Sequence, residues 1–247
     1  GADGSWLHPL KEIVARNRAA GMVTILCPFG WVDNQGEQVL FTGLNPTDQV
    51  FYNDYLIKMT QIASYFAGQD DVWLELWNEP YHWNNANNYS HARWQEDMIE
   101  MIENLRTIKG FNNILVVPGN EQGQSEDAVL THGKELLSRF DNLLFDLHAY
   151  EKWLNNADYD QIAQRFERLQ NQGIPFLIGE IGVRNVAELM EPQAFLDAAL
   201  QEGVSTMAWL WKKEAADQNA LLNEEGQPND LNNNQWGSAF RTFLGSQ

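Results

Sequence analysis

Apolar positions along the chain switch between two spacings, one of three to four residues and one of short continuous runs. From Leu7 to Ala20 they fall at Leu10, Ile13, Val14 and Ala19, which predicts a helix, and Gly21 follows as a left-handed cap. Met22 to Cys27 then reads as a strand, and Phe29 to Asn45 has no period and reads as a long loop. A helix over Asp48–Ala67 carries Tyr52, Tyr55, Met59, Ile62 and Phe66 on one face, ahead of a strand over Val72–Glu79. Trp94, Met98, Met101, Leu105 and Ile108 predict a helix over Ser90–Lys109, with strands at Ile114–Val117 and Leu143–Tyr150 on either side of a helical stretch from Glu126 to Arg139. A helix over Tyr159–Gln172, a strand over Ile174–Gly182, a helix opened by Pro192, a strand over Thr206–Trp211 and a short helix over Gln235–Phe243 complete the chain. Gly21, Gly68, Gly110, Gly173 and Gly203 each stand between a helix and a strand, the punctuation of repeated α-to-β connections, so the fold is α/β with a parallel sheet.

Two of these strands end on a carboxylate. Val72–Glu79 places Trp73, Glu75, Trp77 and Glu79 on one face, and Pro80 denies the next ladder hydrogen bond. Ile174–Gly182 ends on Glu180, between Gly179 and Gly182, which let other groups approach the backbone closely. Burying a carboxylate is costly unless it is paired or used. A single strand of this kind is explained by a carboxylate that caps a helix or faces water. Two such strands are better explained by chemistry, because parallel α/β folds gather function at the carboxyl ends of their strands. Glycoside hydrolysis needs such a pair, one group to protonate the leaving oxygen and one to attack the anomeric carbon or activate water. Leu144, Asp146, His148 and Tyr150 share a face of another strand, with polar groups again towards its end.

Composition narrows the partners. A formal net charge of -18 over 247 residues sets the chain against nucleic acid and anionic membrane surfaces, so a neutral ligand is expected. Ten Trp, seven Tyr and twelve Phe supply rings for the core and, near a cleft, for stacking on sugar faces. The length suits one domain spanning 1–247. Cys27 has no partner for an intrachain disulfide, no Cys/His cluster has metal-ligand spacing, and neither a metal nor a cofactor is expected. Gly1 to Ser5 shows no charged-then-apolar signal pattern, no run approaches the length of a membrane span, and the chain reads as soluble. No Gly-rich loop with Lys appears, which sets aside a phosphate-handling barrel enzyme.

Trp77-Asn78-Glu79-Pro80, His148-Ala149-Tyr150, Ile178-Gly179-Glu180 and Ala208-Trp209-Leu210-Trp211-Lys212 resemble glycoside hydrolase family 5, a family of retaining (β/α)8 barrels. The likeness runs in order from about Met22 to the end of the chain, and Ser125–Tyr150 is similar to bacterial β-mannanases of the family. By this resemblance Glu79 is the acid/base and Glu180 the nucleophile, two groups that a retaining site holds about 5–5.5 Å apart. The resemblance makes Asn78 a ligand of the sugar 2-hydroxyl, places His148 and Tyr150 in the cleft, and makes Trp211 the platform under the sugar, leaving Trp209 to the core. His148 also fits a satisfied interior histidine, and Trp31 and Trp83, on strand-end loops, serve equally as further sugar subsites or as packing. The substrate implied is a β-linked oligo- or polysaccharide, β-mannan first and β-1,4-glucan second, and the location secreted or extracellular. The alternative is a glycan-binding protein that has lost turnover.

Two departures stand out. The family carries a His on its third strand where this chain has Cys27-Pro28-Phe29, so a substrate contact there is expected to be missing. Counted back from the Glu79 strand, Met22–Cys27 is the third of the barrel, so the chain reads as a (β/α)8 barrel with six of its eight units, either a piece of a longer one or shortened at its amino end. The missing part includes the strand that supplies the family's Arg beside the nucleophile, and no residue here takes that role. The Met22 and Thr206 strands are then open edges, lacking the Lys or Pro that usually protect an edge. A homodimer or higher oligomer that covers them is expected.

Overall fold

A computed structural model describes residues 7–33, 35–155, 157–186 and 188–246; the Gly1–Ser5 segment read above lies outside them. Backbone packing divides the chain into two compact units, one running to Gln122 and including Glu135–Leu144, the other made of Gly123–Lys134 and Phe145 onward.

The first unit opens with α1 (His8–Ala19) and β1 (Thr24–Leu26). Next come β2 (Gly30–Val32) and β3 (Gln38–Leu40), which pair antiparallel with Trp31 opposite Val39. This hairpin corrects the expectation of a structureless loop over Phe29–Asn45. Its strands have three residues each, too short to show a period, and its turn rests on Asp33, whose Oδ1 accepts from the backbone N–H groups of Gln35 and Glu37. A 3-10 turn (Pro46–Asp48) leads into α2 (Tyr52–Phe66), which starts later than expected and buries Tyr52, Tyr55, Met59, Ala63 and Phe66. Then follow β4 (Val72–Glu75), α3 (His91–Arg106) and β5 (Leu115–Pro118). Ser90 caps α3 by accepting from the Arg93 N–H, which satisfies one of the free donors of its first turn. Asn113, buried in this unit, donates through Nδ2 to the carbonyls of Phe66, Gln69 and Val72, tying the end of α2 to the start of β4.

After α4 (Asp127–Arg139) and β6 (Leu143–Ala149), the second unit continues through α5 (Glu151–Leu154), α6 (Tyr159–Asn171), β7 (Phe176–Ile181), α7 (Gln193–Gln201), β8 (Thr206–Ala208) and α8 (Trp236–Gly245). Asp158 and Gln161 form a reciprocal capping box at the start of α6. Its core stacks Trp153 on Phe166 and sets Phe195 edge-on to both. Each such ring, fully buried, contributes on the order of 2–3 kcal/mol. Arg165 lies over the Trp153 ring at 3.3 Å while its guanidinium holds the buried Glu126 carboxylate, which Arg168 also contacts.

The parallel strands are hydrogen-bonded in the order β1-β4-β5-β6-β7-β8, the order in which they occur in the chain, the α/β arrangement of an incomplete (β/α) barrel with β1 and β8 at the ends of the sheet. The helix-to-strand glycines at 21, 68, 110, 173 and 203 all adopt positive φ, as left-handed caps require. Two strands end sooner than the apolar runs predict. β4 stops at Glu75, and beyond it Glu79 and Tyr81 adopt left-handed conformations, with φ of 47° and 64°, so the run does not continue as a strand through Glu79. β8 stops at Ala208, so Trp209 and Trp211 do not share its pleat.

Candidate active site

Glu180 lies within β7, and its surroundings follow from one irregularity in the ladder. Asp146 pairs with Leu177 and Leu147 with Ile178, but His148 pairs with Glu180, so Gly179 is an extra residue on its strand. The bulge frees the Gly179 N–H, and the Asp146 carboxylate takes it at 2.6 Å. A Cβ on Gly179 would lie 2.3 Å from either oxygen of that carboxylate, so only glycine fits. The close approach expected of Gly179 is thus filled by Asp146, and that of Gly182 by the Tyr150 ring, which a Cβ there would meet at 2.7 Å.

The shifted register brings Glu180 against two side chains of the neighbouring strand end. Tyr150 donates its hydroxyl proton to Glu180 Oε2 at 2.7 Å, and His148 Nδ1 stands 3.5 Å from the same oxygen. The other ring nitrogen, Nε2, lies 3.2 Å from Asp146 Oδ2. All four groups are buried, Glu180 at 9% exposure being the most open. The Gly123 backbone closes over the imidazole, its carbonyl accepting from the His148 N–H at 2.9 Å. His148 and Tyr150, which share a face of β6 and its end, thus both meet Glu180. Asp146, noted in the sequence only for its face, is the residue that ties bulge to histidine, and the Gly preceding Glu180 was its signal.

Glu79 is held differently. It lies four residues past the end of β4 and is half-buried, with its Oε2 accepting from the Thr42 hydroxyl at 2.8 Å. Asn78, buried beside it, donates from Nδ2 to Thr42 Oγ1 at 3.4 Å, while its Oδ1 faces Cys27 Sγ at 3.6 Å. Cys27, just past the end of β1, thus meets the Asn78 side chain. The segment Phe41–Leu44, just past the hairpin, clasps the turn that carries Glu79. Gly43 N–H donates to the Glu79 carbonyl at 2.8 Å and Tyr81 N–H to the Leu44 carbonyl at 2.9 Å. The Phe41 ring stacks on Trp77 at 3.9 Å, and Tyr55 donates its hydroxyl to the Leu76 carbonyl. Sequence inspection passed over Thr42, since a lone threonine in an aperiodic stretch carries no pattern.

The tryptophans divide. Trp31 stacks on Phe51 at 5.4 Å, half-buried, whereas Trp83 is 55% exposed beside His82. Trp211 is 78% exposed and borders a cavity of about 360 Å³ with Leu221, Pro228 and Phe240. Trp209, expected in the core, is instead half-buried, because the strand ends at Ala208 and its N–H bonds the Ile181 carbonyl one residue beyond Glu180.

A parallel α/β sheet with the strand order of a (β/α) barrel gathers its chemistry at the strand ends, and among proteins of that class the chain belongs to glycosyl hydrolase family 5, the cellulase family, whose model matches residues 1–215. It is 24% identical over 188 residues to a mannan endo-1,4-beta-mannosidase from Salipaludibacillus agaradhaerens, a match that takes in 75% of this chain and 57% of that protein's length. Among solved structures, the mannohexaose complex of Thermomonospora fusca β-mannanase superposes with a TM-score of 0.69 at 19% identity, over 96% of this chain and 73% of that one. A β-glucanase from Saccharophagus degradans gives 0.70 at 14% identity, over 99% and 76%. The likeness to the solved structures is one of fold. Among the described residues no helix is long and apolar enough to cross a membrane.

Proposed function

We propose that the chain acts as a single retaining glycoside hydrolase domain on β-linked polysaccharide, β-mannan before β-1,4-glucan, in a secreted setting. The observation that carries this reading is Glu180, buried between the Tyr150 hydroxyl and His148 next to a bulge in its strand, in a chain that belongs to family 5. Mannan ranks first because the curated relatives it matches include mannan endo-1,4-beta-mannosidases.

In this mechanism Glu180 attacks the anomeric carbon while Glu79 gives a proton to the departing glycosidic oxygen; water, deprotonated by Glu79, then releases the sugar from Glu180. The Tyr150 hydroxyl holds Glu180 Oε2 and so restricts the rotamer of the attacking carboxylate. Asp146 holds the His148 ring in its orientation. Asn78 takes the sugar 2-hydroxyl, Trp211 the sugar face, and Trp31 and Trp83 further subsites.

Release of reducing ends from soluble β-mannan, set beside calorimetric binding of the same glycan, tests the proposal. Binding without turnover would turn the assignment into that of a glycan-binding protein. The oligomer belongs to the proposal too: β1 and β8 end the sheet order, with Met22 and Val23 before β1 and Met207 in β8 exposed, and a second copy covers them. A single species near 28.3 kDa in sedimentation equilibrium at every concentration would exclude it.

A further inference from the structure

We propose that Thr42 is a positioning residue for Glu79, an inference that rests on the acid/base role just given to that carboxyl group. Glu79 has left the sheet, and its backbone at φ 47° lies in the left-handed region, so ladder geometry does not aim its side chain and neighbouring groups must. The Phe41–Leu44 segment does this on both levels. Its backbone accepts from Tyr81 and donates to Glu79, and the Phe41 carbonyl accepts from the Trp77 indole N–H at 3.3 Å. Thr42, between these anchored points, is left with little freedom to move.

The hydroxyl itself is oriented. Asn78 Nδ2 donates to Thr42 Oγ1, which occupies a lone pair, and the Thr42 proton goes to Glu79 Oε2. During glycosyl transfer the Glu79 carboxyl proton passes to the glycosidic oxygen as its bond to the anomeric carbon breaks and Glu180 bonds to that carbon; Thr42 exchanges no proton. A carboxyl free to change rotamer would spend much of its time aimed away from the leaving oxygen. The same hydroxyl links the two consecutive residues of the Asn78-Glu79 pair, so one threonine registers both.

Thr42→Val keeps the shape and removes the hydroxyl, and Thr42→Ser keeps the hydroxyl. With soluble mannan and aryl β-mannobiosides of poor leaving groups, Thr42→Val should lower kcat/KM about tenfold or more, while kcat/KM for a dinitrophenyl substrate, whose glycosylation step needs no proton, stays within about twofold. Thr42→Ser should restore the poor substrates. Equal losses on good and poor leaving groups, or none, overturn the role of Thr42. Glu79→Gln in the same series separates the two ideas: if it shows leaving-group dependence and Thr42→Val does not, only Thr42 falls, and if it shows none, the acid role of Glu79 falls. Crystal structures of the full chain supply a readout free of turnover. The Glu79 carboxylate should hold one rotamer in wild type and Thr42→Ser and spread over several in Thr42→Val, and an unchanged single rotamer in Thr42→Val overturns the inference.

Discussion

Glu180 and Glu79 are supported in opposite ways. Glu180 stays within its strand, and a bulge at Gly179, the Asp146 carboxylate and the ends of β6 and β7 place it by ladder geometry. Glu79 stands off its strand in a left-handed turn and is placed by a clasp that comes from more than thirty residues earlier in the chain, through Thr42 at |i−j| of 37. The first arrangement draws its rigidity from the sheet, the second from side-chain bonds and one aromatic stack. A nucleophile must hold one atom on a fixed line, whereas an acid/base must give and take protons in two successive steps and stands closer to solvent. Glu79 is half-buried and Glu180 buried, a difference that the proposed roles would use.

The comparison breaks first under charge removal. Glu180→Gln and Glu79→Gln should each lower turnover of polysaccharide on the order of a thousandfold. With an activated aryl glycoside the Glu79 variant should still build up a glycosyl-enzyme, seen by mass spectrometry of the intact protein, and the Glu180 variant should not. The reverse pattern would exchange the two roles.

Next comes the bulge. Gly179→Ala forces a methyl group against the Asp146 carboxylate, and we expect a loss of about 2–4 kcal/mol in urea unfolding, with the Tyr150–Glu180 contact disturbed. Thr42→Val, on the other side of the comparison, should cost under about 1 kcal/mol, since its side chain is exposed. Similar losses for the two would mean that both carboxylates depend on the sheet alone.

The tryptophans give a smaller effect. Trp211→Ala should weaken mannan-oligosaccharide binding about tenfold in calorimetry and leave the melting temperature almost unmoved, because the ring is 78% exposed. Trp209→Ala should lower the melting temperature, since part of that ring is buried. If affinity follows Trp209 instead, the ring beside the end of β7 is the platform.

The smallest effect is in pH. Burial holds the Asp97 carboxyl above its usual range, against the hydrogen bonds it accepts from the hydroxyls of Tyr81 and Thr47 on either side of the clasp. A raised folded value means that its contribution to stability is complete below the unfolded value near 3.9 and is lost as pH rises through the folded one. The stability of wild type relative to Asp97→Asn should therefore decline as pH rises above the unfolded value near 3.9 in denaturant titrations. A relative stability that is flat or rises over that range would mean burial does not dominate at Asp97.

The order of elements was legible because helical and strand periods are local properties and a left-handed glycine is needed where each helix turns back to the sheet. That logic located α2, α3, α6 and the six parallel strands, and the pairing of His148 and Tyr150 with one strand end. It failed where three-residue strands are too short to show a period, as in the β2–β3 hairpin, and where an apolar run outlasts its strand, as at Leu76–Trp77 and Trp209–Leu210. A buried residue reads as apolar whether or not its backbone remains extended.

What the sequence determined by itself is the α/β order and the residue types available at each strand end, since both follow from neighbours a few positions apart. Only the tertiary structure decided how those residues are aimed. The register slip that sets Glu180 opposite His148, the clasp of Thr42 on Glu79 and the meeting of Cys27 with Asn78 join positions separated by some thirty to fifty residues. Such contacts depend on where separate elements pack, and no local spacing encodes them.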